Sequence, residues 1–256
     1  HQLHPNNLLQ ILFKFMKLRK HTLRDLKKIF AMKMGYDNYL ASNSNLLKYY
    51  KKNEERPSLK KRYIYFTMHY QPELSTSPLG GVFVDQILAC EILAFAAKKM
   101  NIYLYIKEHP RGSKAAYTKA YDSYERLLNY DNVKFLSNDM NTYELVDNSI
   151  CVSTITGSSG WEALLRKKPV LMFGSRFYEA CYGAFSVSSV EDVKEALSKI
   201  LSGKIRITNE KINSFLCALD HYTFEGFTSK LDERIATVSI RQSIINKVNM
   251  IKNLIN

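Results

Sequence analysis

Residues 150–173, ICVSTITGSSGWEALLRKKPVLMF, contain the pattern that decides the fold. The short apolar run Ile150–Thr154 predicts a buried strand, and the glycine- and serine-rich residues 156–160 that follow predict a loop. A helix is predicted over Trp161–Lys167 and a second strand over Pro169–Phe173. Strand, helix and strand at this short spacing indicate two parallel strands joined by a helix.

The same alternation extends outward in both directions along the chain. Apolar runs predict strands at residues 63–68, 102–107 and 133–136, with helices at 85–100, 114–129, 142–147 (N-cap Thr142) and 190–201, and a helical C-terminal third that is clearest over 229–255. Nearly continuous apolar strands separated by helices are typical of a parallel sheet covered on both faces. We therefore predict an α/β fold with a doubly wound parallel sheet.

The positive charge of the chain is concentrated at its N-terminal end. Of the formal net charge of +13, residues 1–62 carry +11, from 15 Lys+Arg and 4 Asp+Glu, and residues 63–256 carry only +2. Residues 8–30 read as a basic amphipathic helix, and residues 51–62 as a polar linker. We therefore divide the chain into a basic helical segment with its linker, 1–62, and an α/β domain with C-terminal helices, 63–256.

The basic segment has two interpretations. It is either the solvated face of a helix packed on a neighbouring domain, or a surface for anionic lipid or a polyanion, which would involve residues 8–33. A nucleic-acid partner is not expected, because the sequence has no RNP motif, zinc finger or helix-turn-helix pattern. No apolar run approaches the ~18 residues of a membrane span, and no signal peptide is recognisable.

The cysteines and histidines do not form a metal-binding pattern. The 4 Cys and 6 His are scattered, without CxxC or HExxH spacing, so neither a metal site nor a disulfide framework is expected. Isolated thiols of this kind suit a reducing cytoplasm.

Three loops are predicted at the carboxyl ends of strands, where ligands bind in sheets of this class: residues 69–85, 107–113 and 154–161. In the last of these, glycines and hydroxyls precede a helix N-terminus, a combination that binds phosphate. The alternative is an ordinary strand-to-helix turn with a Ser cap. Glu162, in the first turn of that helix, either stabilises the helix or accepts hydrogen bonds from a sugar hydroxyl.

The other two loops also carry polar side chains. His109 follows a strand and precedes Pro110, which restricts the backbone that aims the imidazole. It is either a structural histidine or a donor to a phosphate leaving group, with Lys107 adding positive charge. The loop from Gln71 to Gly81 is either a plain surface loop or a binding loop whose hydroxyls, from Ser75 to Ser77, donate to phosphate or carboxylate.

Three motifs in order, QPE-STSPLGG-F-DQ (71–86), KEHP (107–110) and TITGSSGWEALLRKKPVLMFG (154–174), resemble the bacterial capsule polysaccharide biosynthesis family. That family includes β-Kdo glycosyltransferases with QP and HP motifs. The resemblance implies a GT-B enzyme, of which this chain would be the Rossmann-like C-terminal, donor-binding half. Because residues 1–62 are too short for the N-terminal half, we expect a fragment or a protein that retains only part of the enzyme.

The resemblance also implies the site and the partners. His109 and Glu162 would be the catalytic candidates, and the donor phosphate would lie near Gln71, Pro72, Ser75, Thr76, Lys107, Pro110, Thr156, Gly157, Ser158, Ser159 and Gly160. The donor would be a nucleotide sugar such as CMP-Kdo and the acceptor a glycan or glycolipid, without a metal or cofactor. We expect a cytoplasmic protein, peripheral at the inner face of the bacterial membrane. The alternatives are a GT-B-fold nucleotide-sugar epimerase or hydrolase, and a non-catalytic polysaccharide or membrane docking module.

Overall fold

The computed structural model describes residues 48–71, 76–109, 123–227 and 236–255. Its strands are β1 (Glu54–Glu55), β2 (Tyr63–Thr67), β3 (Tyr103–Lys107), β4 (Val133–Leu136), β5 (Cys151–Thr154), β6 (Val170–Met172) and β7 (Ala184–Ser186). Its α-helices are α1 (Gln86–Lys98), α2 (Ser123–Leu128), α3 (Thr142–Asn148), α4 (Ser158–Leu165), α5 (Val190–Leu201), α6 (Asn209–Tyr222) and α7 (Ile240–Ile255), and a 3-10 helix covers Gly81–Val84.

The strands form one parallel sheet in the order β1-β4-β3-β2-β5-β6-β7. From β4 to β7 this is the Rossmann strand order, in which the chain leaves the central strand first on one side and then on the other. Residue Ile64 of β2 is therefore paired with Leu104 of β3 on one side and Cys151 of β5 on the other. The predicted doubly wound, Rossmann-like parallel sheet is confirmed, and its switch point lies between β2 and β5.

Alternate residues of the strands build two separate cores. Ile64 and Phe66 of β2 face the core that α1, α2 and α5 cover. Tyr63 and Tyr65 face the core on the other side of the sheet, which α3, α4 and α6 cover. Because both faces are covered, the central strands are buried and nearly continuously apolar, as predicted.

The structure differs from the predicted linker over residues 51–62. Residues 48–53 are helical, and Glu54 and Glu55 form β1, which pairs with β4 at the edge of the sheet. Tyr50 is fully buried, and its hydroxyl donates to the carbonyl of Leu136 at 2.6 Å. The linker interpretation is therefore wrong for these residues, whereas the proposed division at residue 62 remains a prediction.

Three local predictions also need correction. Asn141, not Thr142, caps α3, since its side chain accepts from the N–H groups of Tyr143 and Glu144. Helix α4 begins at Ser158, three residues before the predicted start at Trp161. Strand β7 was not predicted, because its three residues are too few to show an apolar pattern.

Some predictions fall outside the described residues: the basic segment 8–33, the residues 114–122 that would begin the helix predicted to end at residue 129, and residues 228–235 at the start of the C-terminal helix predicted over 229–255. That helix prediction is wrong for residues 236–239, which are not helical, since the helix begins at Ile240. Among the helices that the structure does describe, none is both long enough and apolar enough to cross a membrane.

Candidate functional site

The residues that end β2, β5 and β6 come together beside the switch point. The backbone continues the ladder beyond the strands, since the N–H groups of Phe173 and Gly174 donate to the carbonyls of Thr154 and Ile155 at 3.1 and 3.0 Å. The glycine–serine loop, defined here as residues 154–160, therefore lies between the end of β2 and the segment after β6. This is the position in which open α/β sheets bind ligands.

His69, two residues beyond β2, holds the glycine–serine loop in place. Its Nε2 lies 2.9 Å from Thr154 Oγ1 and accepts from the backbone N–H groups of Ile155 and Thr156 at 3.2 and 3.4 Å. Burial, followed by the positive charges of His109 and Arg176, lowers the pKa of His69 to about 4. The imidazole is therefore neutral at pH 7, with an acceptor at Nε2 and the ring proton on Nδ1.

His69 was not identified from the sequence, although it precedes Gln71 of the QP motif by only two residues. Its partners on the loop lie 85 to 87 residues further along the chain, so the sequence contains no local spacing that reports them. The available signal was positional, because a histidine immediately beyond the central strand of a Rossmann-like sheet lies at the ligand-binding edge.

Gly157 is required by the close packing of the loop. A Cβ atom at this position would lie 2.8 Å from Thr154 Oγ1 and 3.0 Å from His69 Cε1. The N–H of Gly157 also donates to Thr154 Oγ1 at 3.1 Å, and its carbonyl accepts from the Tyr178 hydroxyl. The structure thus fixes the loop through contacts from β2, β5 and the segment after β6.

The N-terminus of α4 is open. Gly157 occupies the N-cap position and supplies no side-chain hydrogen bond. Within the described part of the chain, the backbone N–H groups of Ser158 and Ser159 have no hydrogen-bond partner. The Ser159 hydroxyl lies 2.7 Å from Thr67 Oγ1 at the end of β2. Donors of this kind at a helix N-terminus suit an anion.

The residues of the QP motif hold the loop after β2. The Gln71 side-chain amide is buried and donates to the carbonyl of Val84 at 2.6 Å. Gln86, which the sequence reading did not single out, bonds both the N–H and the carbonyl of His69, at 2.7 and 3.2 Å. Thr76 is fully buried, and its carbonyl accepts from the N–H of Gly80. Pro72 and Ser75 lie outside the described residues.

The HP motif follows β3 on the other side of β2. The His109 ring lies 5.6 Å from the Tyr70 ring, so it borders the loop that contains Gln71. Its backbone N–H donates to the buried carboxylate of Glu108 at 2.8 Å, and that carboxylate also accepts from the Tyr124 hydroxyl. The position of His109 is therefore set by buried hydrogen bonds, while Pro110 lies outside the described residues.

The Lys107 ammonium is engaged elsewhere. It donates to the carbonyl of Met140 at 2.6 Å and to Thr142 Oγ1 at 3.1 Å, and burial lowers its pKa. The structure therefore directs Lys107 to the segment before α3, and its predicted role at the phosphate remains a prediction.

Arg176 is a cation near the site that was not predicted from the sequence. It is exposed and lies between Gly174 and Tyr178, both of which contact the glycine–serine loop. Its charge lowers the pKa of His69, after burial and His109 have done so, and no described carboxylate pairs with it.

Glu162 is exposed and lies beyond the first turn of α4, so the predicted first-turn position is wrong because the helix begins at Ser158. Its carboxylate helps to raise the pKa of Tyr65, after burial has done so. In the described part of the chain, no three His, Cys, Asp or Glu side chains are placed to bind a metal ion.

A family model for capsule polysaccharide biosynthesis proteins matches residues 13–183, which is more than half of the chain. The chain therefore belongs to the capsule polysaccharide biosynthesis protein family. A search of curated proteins finds no match.

Solved structures with a similar fold include two sugar-processing enzymes. The β-Kdo 2,7 transferase KpsC of Thermosulfurimonas dismutans is 18% identical over 62% of this chain and 51% of its own, with a TM-score of 0.38. The UDP-GlcNAc 2-epimerase of Methanocaldococcus jannaschii, solved with UDP-GlcNAc and UDP, is 14% identical over 73% of this chain and 51% of its own, with a TM-score of 0.44. The chain thus spans about half the length of these proteins.

Proposed function

We propose that the chain is the donor-binding half of a GT-B glycosyltransferase that uses a nucleotide sugar in the synthesis of capsule or other surface polysaccharide. Two findings support this: membership of the capsule polysaccharide biosynthesis family, and a Rossmann-like sheet with a polar, glycine-containing loop at its switch point. The acceptor would be a glycan or glycolipid at the cytoplasmic face of the membrane. CMP-Kdo is the first donor to test, because the motifs resemble those of β-Kdo transferases.

The observation that carries the proposal is the open N-terminus of α4. The N–H groups of Ser158 and Ser159 would donate to a donor phosphate, with the positive end of the helix dipole behind them. His69 would not touch this phosphate through Nε2, because that atom accepts from the loop itself. Its role would be to hold the loop in its binding conformation without adding a charge.

Arg176 would supply the positive charge that the sequence reading assigned to Lys107. Transfer of the sugar breaks its bond to the phosphate, and the electron pair of that bond stays on the phosphate oxygen. Positive charge and N–H donors fixed near that oxygen stabilise the transition state. His109 would donate to the same leaving group, and Glu162 would accept hydrogen bonds from a ribose or sugar hydroxyl.

The proposal is tested by calorimetric titration of CMP, CMP-Kdo and UDP into the wild-type chain and the Arg176→Gln variant. Losing one charge-assisted hydrogen bond should weaken nucleotide binding about ten- to 100-fold. Arg206→Gln, a matched change at an exposed arginine before α6, should leave the affinity unchanged. No binding of any nucleotide to the folded wild-type chain would rule the proposal out.

The reaction type needs a separate measurement on the full-length protein. NMR of the donor, with and without a glycan acceptor, distinguishes transfer to the acceptor from release or epimerisation of the sugar alone. The transferase proposal expects product only with acceptor and loss of that product in His109→Ala.

A further inference from the structure

The C-terminal helix α7, IRQSIINKVNMIKNLI, combines aliphatic and basic residues without a single acidic one. Its cations are Arg241, Lys247 and Lys252. A helix of this composition is too short and too polar to span a bilayer, but it is long enough to lie along a surface.

The aliphatic side chains of α7 are exposed. Ile240, Ile244, Ile245, Val248 and Ile251 have exposed fractions between 41% and 55%. At ~100° per residue, four of them (Ile240, Ile244, Val248 and Ile251) fall within an arc of about 80°, which we call the aliphatic stripe. On the same projection Arg241 and Lys252 lie on one side of the stripe and Lys247 on the other.

A different side of α7 attaches it to the preceding segment. The hydroxyl of Ser243 accepts from the N–H of Phe227 at 2.9 Å, and the Asn246 amide donates to the carbonyl of Glu225 at 2.7 Å. The Lys247 ammonium also donates to the carbonyl of Phe227. All three side chains lie off the aliphatic stripe, so attachment of the helix leaves the stripe exposed.

We propose that the aliphatic stripe of α7 docks on the surface of an anionic lipid bilayer. The charges favour this occupant, since the exposed cations Arg241 and Lys252 flank the stripe and negative lipid headgroups would neutralise them. The basic residues 1–47, with 8 Lys+Arg and 2 Asp+Glu, would repel this surface, as would α7 of a second copy. The inference does not depend on the proposed function.

Vesicle co-sedimentation tests the proposal with the whole chain. Vesicles of phosphatidylcholine mixed with phosphatidylglycerol should bind the protein at least ten-fold more tightly than vesicles of phosphatidylcholine alone. Val248→Asp, within the stripe, should weaken binding at least ten-fold. Arg241→Gln and Lys252→Gln should each weaken it about five-fold, the value expected for one cation near an anionic surface.

The matched control is Asn249→Asp, which introduces the same charge on the side of α7 away from the stripe. It should weaken vesicle binding no more than the loss of one cation does. Equal binding of wild type, Val248→Asp and Asn249→Asp would overturn the proposal and assign the binding to the basic N-terminal residues. Failure of the wild type to bind, together with a Val248-dependent dimer in sedimentation velocity, would overturn it in favour of a second copy.

Discussion

Helices α4 and α5 both begin at the carboxyl edge of the sheet, but their N-termini are satisfied differently. At α5, Ser189 accepts from the N–H of Asp192 at 3.1 Å, and the Asp192 carboxylate accepts from the N–H groups of Ser188 and Ser189 at 2.9 and 3.0 Å. Hydrogen bonds from Ser188 and Ser189 lower the pKa of Asp192 accordingly. Helix α5 thus carries its own anion, whereas α4 carries none.

The difference follows the position of each helix in the sheet. Helix α5 begins after the edge strand β7, and α4 begins at the switch point between β2 and β5. Where a helix N-terminus has no ligand to bind, side chains of the same segment usually cap its free N–H groups and stabilise the helix. At α4 a glycine occupies the N-cap position, and neighbouring segments hold the loop, so the N–H groups at this end receive no side-chain cap.

The largest effect is expected from a substitution that adds a methyl group at Gly157, the N-cap residue of α4. In Gly157→Ala the new Cβ would lie 2.8 Å from Thr154 Oγ1, and either the loop or His69 must move. We expect nucleotide affinity to fall at least ~100-fold, about 2.7 kcal/mol, and the free energy of unfolding to fall by about 1–3 kcal/mol. Calorimetry and urea unfolding measure the two losses, and a folded variant with wild-type affinity would contradict the proposed role of the loop.

A second effect concerns how His69 holds the loop as the pH changes. Its pKa is about 4 in the folded chain, so the unfolded chain, with a pKa near 6.5, takes up the proton first as the pH falls. The stability that the neutral imidazole provides is therefore complete above about pH 6.5 and is lost towards pH 4. The expected loss is about 2–3 kcal/mol.

Urea unfolding of wild type and His69→Gln between about pH 7 and pH 4 measures this effect. Because glutamine does not titrate in this range, the variant should lose less stability than the wild type as the pH falls. His221→Gln, a change at an exposed histidine at the end of α6, should follow the wild type. Parallel curves for wild type and His69→Gln would show that His69 does not titrate on unfolding.

Much of the fold could be predicted because the central strands are buried and nearly continuously apolar. Strand β2 has four fully buried residues and β5 is buried throughout, so both appear in the sequence as short apolar runs. Helix α5 was predicted with its bounds, since Ser189 and the periodic apolar residues are local signals. The edge strands β1 and β7 could not be predicted, because two or three partly exposed residues have no periodicity.

The candidate site could be predicted as a position but not as a set of contacts. The glycine–serine loop was found because its composition is local to residues 154–160. The direction of the Lys107 ammonium, by contrast, depends on Met140 and Thr142 of a segment more than thirty residues away. His69 and Arg176 were missed for the same reason, since the pairing of distant strands brings His69 to the loop and Arg176 close enough to His69 to affect its pKa.

The smallest effect is expected from removing the side-chain cap at the N-terminus of α5. Ser189→Ala removes the side chain that accepts from Asp192 but leaves the Asp192 carboxylate in place, so the free energy of unfolding should fall by about 1 kcal/mol. Nucleotide affinity should stay within two-fold of wild type, and added nucleotide should stabilise variant and wild type equally, because the proposed ligand site is at α4. Thermal unfolding with and without CMP measures both quantities. A variant that lost affinity along with stability would mean that the two helix N-termini share one site or one rigid unit, and the open end of α4 could then no longer be interpreted separately from α5.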